Sequence, residues 1–427
     1  MSNHPPGIRA DRLLATIVRP LARNRFSGRP GTASMSTRAV HALLRRLFRE
    51  RLTVHDRIPD RPETESTYGV SNPSLEATLV VHDARAYSAV LTEGSVGLGR
   101  GFIEGWWTSD DPLTVVRVLI RNIAKFDVAR NRLQRATGWF ADPVRKMLPR
   151  VSRSRNREDI AAHYDIGNSF FELFLDETMT YSSAIFASAD STLAEGSLHK
   201  YDVLLDKLGV TSEHQLLEIG TGWGGMAIRA ADTIGCDVMT TTISSEQLRE
   251  AKQRVDDAGM SDQVTLLDAD WRDLSGQFDR IVAIEMIEAV DWRDYDAYFA
   301  TIERCLVPGG AVAIQAICLP DDRWERARNT KDFIRRFVFP NGFLPSVAAI
   351  EQSLDRATKL HVIDVEDFTP DYAETLRRWR ERFDGRIDDV AALGLDERFQ
   401  RLWRFYLVYC EAGFREGHVK VAHILIA

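Results

Sequence analysis

The stretch Glu218–Gly225, EIGTGWGG, follows an apolar run and places Gly220, Gly222 and Gly224 at every second position. Glycines so spaced after a strand let the backbone turn tightly and approach a ligand with no Cβ in the way, while the helix that follows offers its first amides. A dinucleotide site would add an acidic residue at the end of the next strand to hold a ribose. That place reads TTTISSEQ, with no carboxylate before Glu246, which argues against a nicotinamide cofactor. The hydroxyl of Thr242 and the amide of Gln247 suit a ribose or a carboxylate. The indole of Trp271, in DADWRD, suits an adenine face or a cation, and fits equally as a half-buried core aromatic. Upstream, MTYSSAIF sets Tyr181, Ser182 and Ser183 into an otherwise apolar run, as if to cover a bound ligand.

The elements that must position these residues are strands alternating with helices. QLLEI runs into the glycine loop and then a helix with a glycine stop. CDVMTTTIS is strand-like, and SSEQLREAKQRVDDAG opens on serine caps. QVTLLDAD, FDRIVAIEM and GGAVAIQAI are three further strand candidates. Such alternation predicts a mostly parallel sheet covered on both faces. Before it, residues 36–145 read as a small α+β domain, with RAVHALLRRLFRERL and PLTVVRVLIRNI helical and ATLVVHD a strand. Between them sits GLGRGFIEGWW, with four glycines and three large aromatics. Residues 1–35, rich in Pro, Gly, Ser and Arg, are expected to be a disordered basic tail, and 146–158 a basic linker into a catalytic domain at 159–427.

The chain has 427 residues and a net charge of −7. Residues 1–60 hold twelve arginines against Asp11, Glu50, Asp56 and Asp60, a local balance of +8 that leaves the remainder near −15. A basic end on an acidic body is a solubilising tail or a patch drawn to anionic lipid or nucleic acid. The four cysteines, Cys236, Cys305, Cys318 and Cys410, are far apart with no CxxC, which argues against a zinc cage or a disulfide framework and fits a reducing cytoplasm. No apolar run reaches membrane-spanning length, and the first residues do not read as a secretory signal.

Seven segments in order carry a resemblance to the cyclopropane-fatty-acid synthase family of class I S-adenosylmethionine methyltransferases: GLGRGFIEGWW, AAHYDIGNSFFELFLDETMTYSSAIF, LLEIGTGWGG, TTISSEQ, FDRIVAIEMIEAV, FPNGFLPS and FYLVYCEAGFR. The resemblance implies a Rossmann-like α/β catalytic domain. It places Tyr181, Ser182, Leu217, Glu218, Gly220, Gly222, Gly224, Thr242, Gln247, Trp271 and Arg272 around S-adenosyl-L-methionine, with no metal. In the family's reaction an alkene attacks the sulfonium methyl and leaves a carbocation, which then loses a proton. Loss from the new methyl closes a cyclopropane, and loss from a neighbouring carbon leaves an alkene, a methylene branch where a hydride shift comes first, that a separate reductase can saturate.

Related enzymes are thought to use bound bicarbonate as the base, held by a cysteine, a glutamate, a histidine and a tyrosine. Those positions map here to Ser183, Glu288, Gln315 and Arg380, so only the glutamate is kept. Serine and glutamine can still bond a carbonate oxygen, and an arginine fork suits a planar oxyanion. Glu288 can hold the anion or take the proton itself. Cys410 matches a cysteine sometimes designated catalytic, although no step needs a thiolate and a lone cysteine in an aromatic helix fits core as well. The Gln and Arg pair resembles the branch containing tuberculostearic-type methyltransferases, and some cyclopropane synthases share it, so the resemblance leaves both products open. The substrate implied is the unsaturated acyl chain of membrane phospholipid, met peripherally at the inner face of the membrane. The N-terminal domain is implied to engage lipid or to form a homodimer. A soluble small-molecule methyltransferase and a non-catalytic lipid-binding protein are the alternatives. Nucleic acid is not expected, since the basic residues cluster away from the loop.

Overall fold

The structure is a computed structural model that describes residues 30–47, 49–124, 126 and 166–427. The expected linker at 146–158 and residues 1–29 of the expected tail lie outside them. The first helix, α1 (Pro30–Leu44), begins inside the stretch read as tail.

Two sheets organise the chain. The smaller has strands β1 (Arg51–Asp56), β2 (Thr64–Gly69), β3 (Glu76–Val81) and β4 (Trp107–Thr108), in the order β2-β1-β3-β4. Helices α2 (Arg85–Glu93), α3 (Ser95–Ile103) and α4 (Pro112–Arg121) accompany it. The glycine-rich segment is helix α3, against the propensity of its residues. A Cβ at Gly99 would lie 2.2 Å from Phe333 Cδ2, and one at Gly97 would lie 2.0 Å from the Ala89 carbonyl oxygen. The glycines are what let three helices touch. Trp107 is 2 % exposed, donates its indole N–H to the Leu98 carbonyl at 2.9 Å and packs on Phe102 and Phe405. This part of GLGRGFIEGWW therefore seals the contact between the two halves of the chain.

The larger half runs α5 (Asn168–Phe171), α6 (Leu193–Leu208), β5 (Gln215–Ile219), α7 (Gly225–Ile234), β6 (Asp237–Thr242), α8 (Ser245–Asp257), β7 (Val264–Asp268), β8 (Phe278–Ile284), α9 (Tyr295–Cys305) and β9 (Leu306–Cys318). It continues through α10 (Asp321–Ala327), α11 (Phe333–Phe337), α12 (Val347–Ala357), β10 (Val362–Asp367), α13 (Thr369–Gly385), α14 (Ile387–Ala392), α15 (Glu397–Arg415) and β11 (Lys420–Ile426). Its sheet has the order β10-β11-β9-β8-β5-β6-β7. β11 is antiparallel to both neighbours, and the other pairings are parallel. The chain leaves β5 toward β6 and β7, then returns to lay β8 on the opposite side of β5. This switch opens a crevice beyond the carboxyl ends of β5 and β8, where ligands bind in open α/β sheets.

Helices α13 and α15 roof that crevice. Their buried aromatics, Trp379, Trp403, Phe405 and Tyr406, share one core with Phe170, Phe171 and Phe174 and with Val115 and Val118 of α4. The two halves thus have a continuous apolar interior. Arg117 and Arg121 reach Glu416 at 2.7 and 2.5 Å, and Arg398 reaches Glu104 at 2.7 Å.

Candidate active site

Three loops meet in the crevice. The first, after β5, holds Gly220, Gly222 and Gly224 at φ 104, 52 and 88°, all left-handed values that favour glycine. The amides of Gly220 and Thr221 donate to the Thr241 carbonyl, tying the loop to β6. Among the described residues, no atom beyond its own chain neighbours lies within 4 Å of where a Cβ on Gly222 would stand. Below the loop, the Glu218 carboxyl accepts from Thr240 Oγ1 at 2.6 Å, and Thr240 meets Thr221 at 2.7 Å. Burial pushes Glu218 up to about 8, opposed by the Thr240 bond and the charge of Lys200. Glu218 therefore supports the loop from beneath, and Leu217 is fully buried core under it.

Beside the loop, Thr242 Oγ1 donates to Gln247 Oε1 at 3.0 Å at the end of β6. Trp271 is 7 % exposed, edge-on to Tyr298, with the Arg272 guanidinium 4.3 Å from its ring centre. Arg272 is itself held by Asp270 at 2.9 Å. The left-handed glycine loop at the switch of the sheet, with open space over Gly222, fits S-adenosylmethionine.

The second loop is MTYSSAIF, an irregular cover across the crevice in which each polar group is anchored. Tyr181 OH meets Tyr406 OH of α15 at 2.9 Å. Ser182 Oγ accepts from Lys200 Nζ of α6 at 2.7 Å. The backbone N–H of Ser183 donates to Glu285 Oε1 at 2.9 Å, while its hydroxyl donates to the Ala184 carbonyl.

The third loop follows β8 and carries two carboxyls. Glu285 has φ 50°, a left-handed conformation that costs an L-residue about 1–2 kcal/mol. Besides Ser183 N–H, its carboxylate accepts from Gln315 Nε2 at 2.8 Å and from Tyr372 OH at 2.7 Å. Gln315 is oriented from behind, because His423 Nε2 meets Gln315 Oε1 at 3.1 Å. Burial, then the charges of Lys200 and Lys207, lower His423 to about 3, so the ring is neutral and its Nε2–H donates. Burial raises Glu285 above the ordinary carboxylate range, while its three donors and Lys200 oppose that rise.

Glu288 accepts the Ile317 N–H at 2.6 Å through Oε1, and its buried Oε2 has no hydrogen-bond partner among the described residues. Burial, then the charge of Glu285, push it up to about 8. Two neighbouring carboxyls with unequal surroundings divide their states: Glu285, with three donors, is the anion, and Glu288 keeps its proton near neutral pH. Since Glu288 binds its proton more tightly when folded, its contribution to stability is complete below its ordinary value of 4.5 and is lost as pH rises through about 8. Glu288→Gln is expected to remove a slope of up to about 1.4 kcal/mol per pH unit across that window. Urea midpoints of both proteins from pH 5 to 8.5 measure this, and parallel profiles would rule the assignment out.

The structure thus brings Ser183, Gln315 and Glu288 together, and adds Glu285, Tyr372 and Lys200, which the sequence reading missed. It does not bring Arg380 to them. That side chain turns away to Glu411, at 2.8 Å. The phenol that reaches the cluster belongs to Tyr372, two turns earlier on α13. Cys410 stands on α15, and burial followed by the charge of Asp332 raises its thiol well above the ordinary value. Such a thiol stays neutral, which does not suit a nucleophile.

The strand order, the reversed β11 and the glycine loop at the switch define a class I S-adenosylmethionine-dependent methyltransferase. The chain belongs to the mycolic acid cyclopropane synthetase family, whose pattern it matches over residues 151–424. It is 40% identical over 363 residues to the tuberculostearic acid methyltransferase UfaA1 of Mycobacterium tuberculosis, covering 83% of each chain. It is 33% identical over 366 residues to the cyclopropane-fatty-acyl-phospholipid synthase of Escherichia coli K12, covering 83% of this chain and 89% of that one. The crystal structure of the mycolic acid cyclopropane synthase CmaA1 complexed with SAH and CTAB superposes with a TM-score of 0.59 at 30% identity, over 63% of this chain and 97% of that one. The protein is accordingly an S-adenosylmethionine-dependent C-methyltransferase. No helix among the described residues is long and apolar enough to cross a membrane.

Proposed function

We propose that the protein methylates the cis double bond of unsaturated acyl chains in membrane phospholipids. The observation that carries this reading is the carboxylate cluster set under an aromatic roof at the crevice. Tyr181 and Trp379 lie 5.4 Å apart there, and Tyr372 stacks on Phe414 at 4.3 Å. An alkene needs no polar recognition, only an apolar wall and exclusion of water. The cation formed from it needs electron-rich faces nearby and a base. When bound, S-adenosylmethionine supplies an electrophilic methyl group on a sulfonium. The glycine loop would hold the cofactor, the aromatic roof would shield the cationic acyl carbon, and a carboxylate would take the proton.

The identities with the tuberculostearic acid methyltransferase and with the phospholipid synthase support an acyl-chain substrate. We infer a methylene branch as the product, saturated by a separate reductase, with the cyclopropane as the competing outcome. The arginine-rich first sixty residues would hold the protein peripherally on anionic lipid at the inner face of the membrane. Incubation with oleoyl phospholipid and labelled S-adenosylmethionine, followed by mass spectrometry of the acyl methyl esters, tests the reading. We expect a gain of one methylene-branch carbon. A cyclopropane would overturn the product assignment, and no label in lipid would overturn the substrate.

A further inference from the structure

We propose that Glu285 is the proton acceptor of the reaction, a carboxylate built into the chain where related enzymes are thought to bind bicarbonate. The inference rests on the methyl-transfer reading above and names the base for it. A bound bicarbonate does not fit this site. Two of the residues aligned with its ligands already converge on Glu285: Ser183 through its N–H at 2.9 Å and Gln315 through its side-chain amide at 2.8 Å. The phenol of Tyr372 completes the set at 2.7 Å. Three donors around one planar carboxylate form the cradle a small oxyanion would need, and the protein's own side chain fills it. The left-handed backbone at φ 50° is what aims that side chain inward from the end of β8.

The two oxygens are not equivalent. Oε1 accepts from both Ser183 and Gln315, which occupies its two lone pairs, whereas among the described residues Oε2 accepts only from Tyr372. The second lone pair of Oε2 is the one available for the proton. In the step that ends the reaction, a hydride first moves from the methyl-bearing carbon to the neighbouring cationic carbon; a C–H bond of the new methyl then breaks, and its electron pair forms the C=C bond to the methyl-bearing carbon. The proton passes to Oε2, so the carboxylate becomes the neutral acid and later returns the proton to solvent. Unlike a diffusible anion, this base is fixed at one place relative to the acyl chain, and its position selects which proton leaves.

The test uses the full chain and two variants, Glu285→Gly and Glu285→Gln, in buffer purged of carbon dioxide. The wild type should methylate oleoyl phospholipid at a rate independent of added bicarbonate. Glu285→Gln should lose at least 100-fold with no rescue. Glu285→Gly, which also relieves the left-handed strain, should lose a similar factor and regain at least tenfold with bicarbonate or formate. A wild type that needs bicarbonate, or a Gln variant active within a few-fold of it, would overturn the proposal. Melting temperatures with formate, read without lipid, separate this proposal from the substrate reading. Stabilisation confined to the Gly variant supports the filled cradle even if no phospholipid is methylated, and equal stabilisation of wild type and variant, or of neither, overturns it.

Discussion

Replacing Gly222 by valine is expected to weaken S-adenosylmethionine binding by at least 100-fold, about 3 kcal/mol, while leaving the domain folded. The backbone at φ 52° is left-handed, which strains a β-branched residue, but among the described residues no atom beyond the chain neighbours lies within 4 Å of the new Cβ. The substitution thus costs the fold more than the roughly 1–2 kcal/mol of an ordinary left-handed residue, and its bulk enters the space where the ligand would lie. Gly220 makes a poorer test, because at φ 104° with Met286 Cγ 3.0 Å from its Cβ position, a side chain there would also disturb the protein. Gly235→Ala is the control. It strains the end of α7 at φ 76°, far from the crevice, and should lower stability without changing affinity. Calorimetric titration of the three proteins decides the matter. Affinity within tenfold of wild type in a folded Gly222→Val would remove the loop from the cofactor site.

Much of the catalytic half was legible in the chain. Strand and helix periods gave β5 to β9 with their helices, since each element satisfies its own backbone and buries one face locally. What could not be read were positions set by tertiary contact. Nothing in AIEMIEAV marks Glu285 rather than Glu288 as the anion, because the difference lies in which donors arrive from 30 to 102 positions away, on β9, α13 and the cover loop. Two glutamates three apart directly after a strand at the switch were the available signal. Arg380 stands at the position aligned with the family's tyrosine, but Tyr372 occupies the turn of α13 that faces the sheet. Lys200 lay hidden for a related reason: a lysine in an amphipathic helix reads as surface, and only the fold puts it at 0 % exposure.

The N-terminal half shows the opposite failure. Glycine weakens an isolated helix by about 1 kcal/mol per residue, so GLGRGFIEGWW carries no helical signal. Packing overrides propensity there, since Gly97, Gly99 and Gly101 stand where neighbouring atoms leave no room for a Cβ. Within this segment Phe102 and Trp107 lie in the core shared by the two halves.

Lys200→Met is expected to lower methyl transfer by about 100-fold at pH 7, in the range that general-base catalysis contributes, and to move the acid limb of the kcat/KM profile to higher pH. The Lys200 ammonium is fully buried, donates to Ser182 Oγ at 2.7 Å and lies 4.4 Å from the Tyr201 ring centre. Burial lowers it to about 8, against the pull of Glu285, Asp176 and Glu218, so it is mostly charged at pH 7. Its charge is one of the influences that keep Glu285 ionised despite burial. Removing it leaves the carboxylate to its desolvation cost, and more of the enzyme then holds Glu285 as the unreactive acid at neutral pH. Raising the pH restores the anion, so the deficit should shrink toward pH 9. In the wild type, Lys200 binds its proton less tightly when folded than its ordinary value of 10.5. That makes stability rise from about pH 8 to 10.5 through this group, and the variant should lack the rise. A lysine that served only to pack α6 against the cover loop would give a deficit equal at every pH. Such a pH-independent loss in Lys200→Met would separate the buried cation from the proton transfer.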